Sequence, residues 1–490
     1  HFVKGHAGKT DYDNIAIICD FRPKELKGYS DEEIKKNESL KALVAQYKEQ
    51  NERRRMYENY GTFNMSTMDI DLLGVDKITL SERQNVHIFP KDFKIKVKQN
   101  RDLEFGGWLN VGKLEINTLS ANYNYADNKI NLVQTDKSYI RASPLDVSHG
   151  NEGIAMVTSF NNIIGDILID LPTNRSGNKK DATTAKFPVL SVKNPTKVYY
   201  NEKALYNGAY DSTRFYYALQ PFEIDSIDNF NDKALRLKGE LVSAGIFPLI
   251  KEDLKIMPDY SFGFSTAAPK EGFNFYGTGA KYDNKVMLSG RGLQGSGTID
   301  FVKSTSVSKN LFTFLPDSTI GLVKFTNEAV ANGIQFPNAK CEEAYMTYIP
   351  KKKVLKANST QRYDIEYFNN EAKLRGTTFV TPEGMSGKGL MTFKNASMVS
   401  QNYVYKHTDL YADTSSFNLK NENKEDGEAP LIFETNNVKS HVSFKDRKGL
   451  FNSNHGESQV SFPVNQYMCK MDMFTWFMDQ DQIDMEKTAR

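Results

Sequence analysis

The chain repeats itself. Residues 292–310, GLQGSGTIDFVKSTSVSKN, align without a gap on residues 384–402, GMSGKGLMTFKNASMVSQN. Both copies carry Gly-x-x-Gly-x-Gly; Phe301 matches Phe393, Val307-Ser308 matches Val399-Ser400, and Asn310 matches Asn402. Asp317 and Asp409 keep the same offset of 92 positions. A constant offset of this kind points to duplicated supersecondary units stacked along one axis, each covering the next.

The glycines invite a second reading. GRGLQGSG at 290–297 contains the Gly-x-Gly-x-x-Gly of dinucleotide sites, but that fingerprint requires a helix opening at the glycines within a parallel βαβ unit. The strand-like TIDFV follows Gly297, and the motif recurs at Gly384, Gly387 and Gly389. Gly292, Gly295, Gly297, Gly384, Gly387 and Gly389 are therefore expected to be structural turn glycines, where positive φ lets one rung pass to the next. Phe301 and Phe393, each four residues after its last glycine, are expected in the interior of equivalent strands.

From Thr62 onward the hydrophobic period is two. In Phe93-Lys-Ile95-Lys-Val97-Lys the apolar and charged side chains fall on opposite faces of a strand. Similar runs recur at 114–117, 162–171, 197–200, 214–219, 235–242 and 273–279, separated by Asn, Asp, Gly and Pro. Aromatic residues reach 12% and suit half-buried pleated surfaces. The expected fold is all-β: an elongated β-solenoid or β-roll of stacked short strands over 62–466, with related units near 270–360 and 365–460. Residues 1–61 are expected to hold a strand in NIAIICDF (14–21) and then a helix. Ser30 with Glu33 forms a capping box, Ile34, Leu40, Leu43, Val44 and Tyr47 make an apolar stripe, and Gly61 supplies the C-terminal cap. Residues 467–490 read as a helical cap. The polar stretches Asn174 to Lys186 and Asn421 to Gly427 read as exposed loops.

Several chemistries lack their signatures. Lys plus Arg (63) nearly balance Asp plus Glu (61), so no broad positive field exists for nucleic acid. Cys19, Cys341 and Cys469 stand far apart without a CxxC pair, which excludes a zinc knuckle and leaves one long-range disulfide open. GHAGKT at 5–10 mimics a nucleotide-binding loop but has Val3 where the first glycine belongs, so no nucleotide is expected. HExxH is absent, and His149 and His455, each before a glycine, read as loop residues. GFSTA at 263–267 lacks the closing glycine of a nucleophile elbow. Glu223, Asp225, Asp228 and Asp232 bunch together, but not in the order of a calcium hand. No catalytic, metal-binding or cofactor-binding residue is assigned, and no cofactor is expected. The opening HFVKGHAGKTDYDN reads as mid-chain sequence, which makes the chain a segment of a longer protein.

Several phrases together carry a resemblance: DFRPKELKG (20–28), GVDKITLSERQNVHIFPKD (74–92), YYALQPFEIDSIDNF (216–230), SAGIFP (243–248), DYSFGF (259–264), LSGRGLQGSG (288–297) and FPVNQYMCKMDMFTWFMD (462–479). They resemble the large β-rich cell-envelope proteins of Bacteroidota bacteria. The resemblance implies an exported protein, periplasmic or associated with the outer membrane, and carries over no catalytic residue. ANYNYADNKINL at 121–132 is similar in style to the open β-rolls of lipopolysaccharide transport. That likeness implies either an apolar groove for lipid or a packed scaffold. The expected function is a non-enzymatic envelope scaffold or assembly protein, with envelope proteins, further parts of the same chain, or lipid as partners. The rivals are an enzyme acting on envelope glycan through a carboxylate pair and a transmembrane β-barrel, whose lipid-facing girdles fit poorly with strands that carry lysines.

Overall fold

A computed structural model describes residues 16–18, 41, 42, 45, 61–143, 154–421, 429–454, 458–480 and 482–486. The GHAGKT string, Cys19, His149, His455, most of the expected N-terminal helix and most of the 421–427 loop lie outside the described residues. The described chain is all-β, with 58% strand, two large antiparallel sheets and no helix of seven or more residues. Two compact units divide it. The first holds residues 1–202, 211–242 and 250–264; the second holds 203–210, 243–249 and 265–490.

In the first unit the spine is three long strands, Leu103–Val111, Leu114–Asn124 and Lys129–Ala142, each paired with the next. Leu103–Val111 buries Leu103, Phe105, Leu109 and Val111, as its alternating apolar residues require. Gly112, at φ +55°, makes the tight turn into Leu114. One side of this strand takes two short partners. Lys94–Val97 pairs at Leu103 and Glu104, and Val86–Pro90 pairs from Gly107 to Val111. Ala16–Ile18, within the expected first strand, pairs antiparallel with Lys77–Ser81.

The second unit follows the same logic. Gly292–Phe301 takes Ser304–Ser308 against its C-terminal half and Phe312–Leu315 against Gln294 and Gly295. Ser318–Asn327 pairs with the same two short strands from the other side. Ala339–Ile349 likewise splits its partners between Val354–Ser359 and Ile365–Tyr367. Several long strands also shift register near their middle, at Val323/Phe325, Gly387/Gly389 and Ala412/Ser415. Such bulges bend a strand and raise its local twist.

Two expectations are corrected. Residues 467–490 do not form a helical cap: Tyr467–Met471, Met473–Phe477 and Ile483–Glu486 are strands. Met473–Phe477 pairs with Lys448–Ser453 and buries Phe474 and Trp476 at period two, so the aromatic alternation FTWF outweighs the helix-like spacing around it. The 174–186 stretch is not a free loop either. Asn174 is buried, its side chain donates to Asp170 and to the Lys179 carbonyl, and Thr184 donates to the Lys179 carbonyl.

Phe301 and Phe393 are each 3% exposed. Phe301 meets Tyr348 with ring centroids 5.1 Å apart, and Phe393 meets Trp476 at 5.5 Å. Truncating either ring leaves a cavity that this sheet cannot close, so Phe301→Ala and Phe393→Ala should each cost about 3–5 kcal/mol. Denaturant midpoints of the two variants check this, and a loss below about half a kcal/mol at both positions contradicts it.

Candidate functional site

The six motif glycines do not act alike. Gly292 and Gly384 close hairpins, opposite Ser289 and Thr381, at φ +85° and +144°. The other four lie inside strands, which corrects their reading as turn residues. Gly297 stands opposite Asn284, and a Cβ there would be 2.0 Å from the Asp283 carbonyl oxygen. Gly389 stands opposite Gly376, where a Cβ would be 2.4 Å from the Arg375 carbonyl oxygen. These two glycines allow neighbouring backbones to close on each other.

Gly295 and Gly387 make room for a phenol. A Cβ at Gly295 would lie 2.3 Å from Tyr282 Oη, and one at Gly387 would lie 2.5 Å from Tyr405 Oη. The tyrosines arrive from different strands. Tyr282 belongs to Ala280–Ser289, before the glycine strand, and Tyr405 to Ala396–Tyr405, after it. Cross-strand partners in the two segments also keep one offset. Lys281 faces Asp300 as Lys373 faces Thr392, Thr298 faces Val307 as Leu390 faces Val399, and Ser304 faces Asn327 as Ala396 faces Leu419.

The buried face of the second unit is filled with rings. Phe247 sits 5.0 Å from Phe314, Phe275 is 5.6 Å from Phe314 and stacks on Tyr348 at 5.7 Å. A further group joins Phe417, Phe451, Phe474 and Trp476, with Phe451 and Phe474 stacked at 4.5 Å. The phenols among these rings are held by backbone. Tyr210 Oη donates to the Phe314 carbonyl at 2.8 Å and accepts from Leu293 N at 3.1 Å. Tyr282 Oη lies 2.6 Å from the Lys285 carbonyl. Burial pushes the Tyr210, Tyr276 and Tyr282 phenols well above their ordinary range, so they stay neutral.

Titratable groups sit in structural roles. Among the described residues no group of three or more His, Cys, Asp or Glu could hold a metal. In the acidic run, Asp232 accepts from Ser143 N and lies 3.5 Å from Lys113 Nζ, while Glu223 and Asp225 line an open hollow of about 450 Å³ with Asn229 and Arg236. Asp170 is the most buried carboxylate. Gln84 Nε2, Asn174 Nδ2 and Leu171 N donate to it at 2.8, 2.9 and 2.7 Å, yet burial pushes its carboxyl up. His441 Nε2 lies 2.9 Å from Asp409 and its ring stacks on Tyr411 at 4.3 Å. GFSTA lies within strand Phe262–Ala267. Neither the Asp170 network nor the Asp409–His441 pair was singled out from sequence, because their members are far apart in the chain.

Cys341 and Cys469 are free thiols. Cys341 is buried, its Sγ 3.2 Å from the Glu343 carbonyl, and burial pushes its thiol up to about 11. At pH 8 it should therefore resist iodoacetamide until the protein unfolds, while partly exposed Cys469 labels first; mass spectrometry over time checks the order. Gly297→Ala and Gly389→Ala should each lower stability by about 1–3 kcal/mol, because the obstructing atom is a backbone carbonyl that no rotamer change removes. Thermal melts of both variants test this, and an unchanged midpoint contradicts it. No protein-family model, curated protein or solved structure matches the chain.

Proposed function

We propose that this chain is a non-enzymatic scaffold or assembly protein of a bacterial cell envelope, exported from the cytoplasm and built as a roll of stacked antiparallel rungs. On this reading 292–310 and 384–402 are two copies of one rung pair. The common cross-strand offsets and the paired glycine seats support it. The envelope setting rests on the resemblance of the phrases quoted above.

The observation that carries the proposal is the filled interior. Phe312, Phe314, Tyr282, Tyr348, Phe417 and Phe451 are fully buried against one another and against backbone. Acyl chains gain roughly 0.8 kcal/mol per methylene only where a continuous apolar lane is free to receive them. Rings that occupy the space favour a rigid body that presents its outer face to protein partners over one that shelters lipid.

Photocrosslinking in cells tests this. Benzoylphenylalanine in place of exposed Tyr345 or Tyr363 should capture envelope proteins. Diazirine-bearing fatty acids fed to the same cells should leave Phe275, Phe301 and Met346 unlabelled. Lipid adducts on those interior residues would overturn the scaffold reading in favour of a lipid conduit. Equally adverse is a chain that captures no protein from either outer position.

A further inference from the structure

The second unit ends on a hairpin that stands apart from its neighbours. Strand Tyr467–Met471 pairs with Ser458–Phe462, with Phe462 facing Tyr467, Val460 facing Cys469 and Ser458 facing Met471. Among the described residues no strand pairs with its other side. The hairpin shows apolar groups on both faces. Tyr467 is 59% exposed, Met468 is 64% exposed and Val464, in the turn, is 59% exposed. From Ser458 to Met471 there is no acidic residue, and Lys470 is the only charge. Sheet edges are normally guarded by charges, prolines or bulges, and one lysine in an apolar strand is a light guard.

We propose that this edge pairs antiparallel with the same edge of a second copy, about a two-fold axis at Cys469. The strand is self-complementary in that register. Tyr467 falls opposite the partner's Met471, Met468 opposite the partner's Lys470, and Cys469 opposite the partner's Cys469, so no like charges meet. The shared face becomes continuous: Phe462, Tyr467 and the partner's Met471 line up across three strands, which covers the most exposed ring of the hairpin. Directly opposed residues of antiparallel strands have Cα atoms about 4.5–5.5 Å apart, within the range a disulfide spans. Free Cys469 is therefore a reporter of the register as well as part of it.

The test uses the whole chain. Sedimentation over a concentration series should show a reversible monomer–dimer equilibrium. Copper(II)-phenanthroline should then join two Cys469 thiols, releasing two protons and passing two electrons to two copper(II) ions, and peptide mapping should find a Cys469–Cys469 bridge that persists in Cys341→Ser and is lost in Cys469→Ser. Charge at position 468 separates pairing from misfolding. Met468→Lys places ammonium groups opposite each other and should weaken the dimer roughly ten-fold, whereas Met468→Glu faces Lys470 and should tighten it. A chain that stays monomeric at its solubility limit overturns the proposal. So does a dimer bridged elsewhere, one indifferent to the charge at 468, or a monomer whose 467–471 amides resist hydrogen exchange because another segment already covers them.

Discussion

Each long strand of these sheets must bury one face along its whole length while bending near its middle, and the bulge is what reconciles the two demands. A strand has a side-chain period of two, so an unbroken strand that bends sharply would lose its pairing. Leu114–Asn124 buries alternate residues until Leu119 and Ser120, which are exposed in succession, and then alternates again. Lys129–Ala142 does this at Val133 and Gln134, Ala396–Tyr405 at Gln401 and Asn402, and Asp409–Lys420 at Asp413 and Thr414. The register shifts at 116–121 and 412–417 mark the inserted residues. Exposed Leu119 and Val133 are explained by this device.

The glycine motif serves the same constraint from the inside. Gly297 and Gly389 let two backbones approach where a Cβ would strike a carbonyl, and Gly295 and Gly387 open a seat into which a tyrosine lays its hydroxyl. A buried phenol needs a partner, and the sheet backbone supplies carbonyls for Tyr210, Tyr276 and Tyr282. That one seat is filled from the preceding strand and the other from the following strand shows that the seat is the constant feature and its occupant is free to vary. Leu374 occupies the place in the second segment that Tyr282 holds in the first.

The polar chemistry is consistent with a supporting body. Asp170 is the clearest case: three donors converge on a buried carboxylate whose neighbours, Gln84 and Asn174, tie the 174–186 stretch to the sheet. Raised by burial, it is favoured in its neutral form on folding, so its contribution to stability is present at low pH and falls as pH rises through its folded value. Asp232 with Lys113, and Asp409 with His441, are likewise engaged by partners on adjoining strands and turns.

The sequence by itself determined the all-β class, the two glycine-bearing segments and the interior placement of Phe301 and Phe393, because period-two alternation and an ungapped repeat are local signals carried by the backbone pleat. It misjudged the C-terminal residues, where Met471, Phe474 and Trp476 satisfy both a helical and a strand pattern over a short span and only pairing with Ser458–Phe462 and Lys448–Ser453 selects the strand. It placed four glycines in turns because a positive φ and a close backbone approach demand the same residue and leave the same trace. Which tyrosine fills each seat, which carboxylate is buried, and which edge is left open were decided by tertiary structure alone: each depends on residues tens of positions apart meeting across a sheet, and no local pattern encodes that meeting.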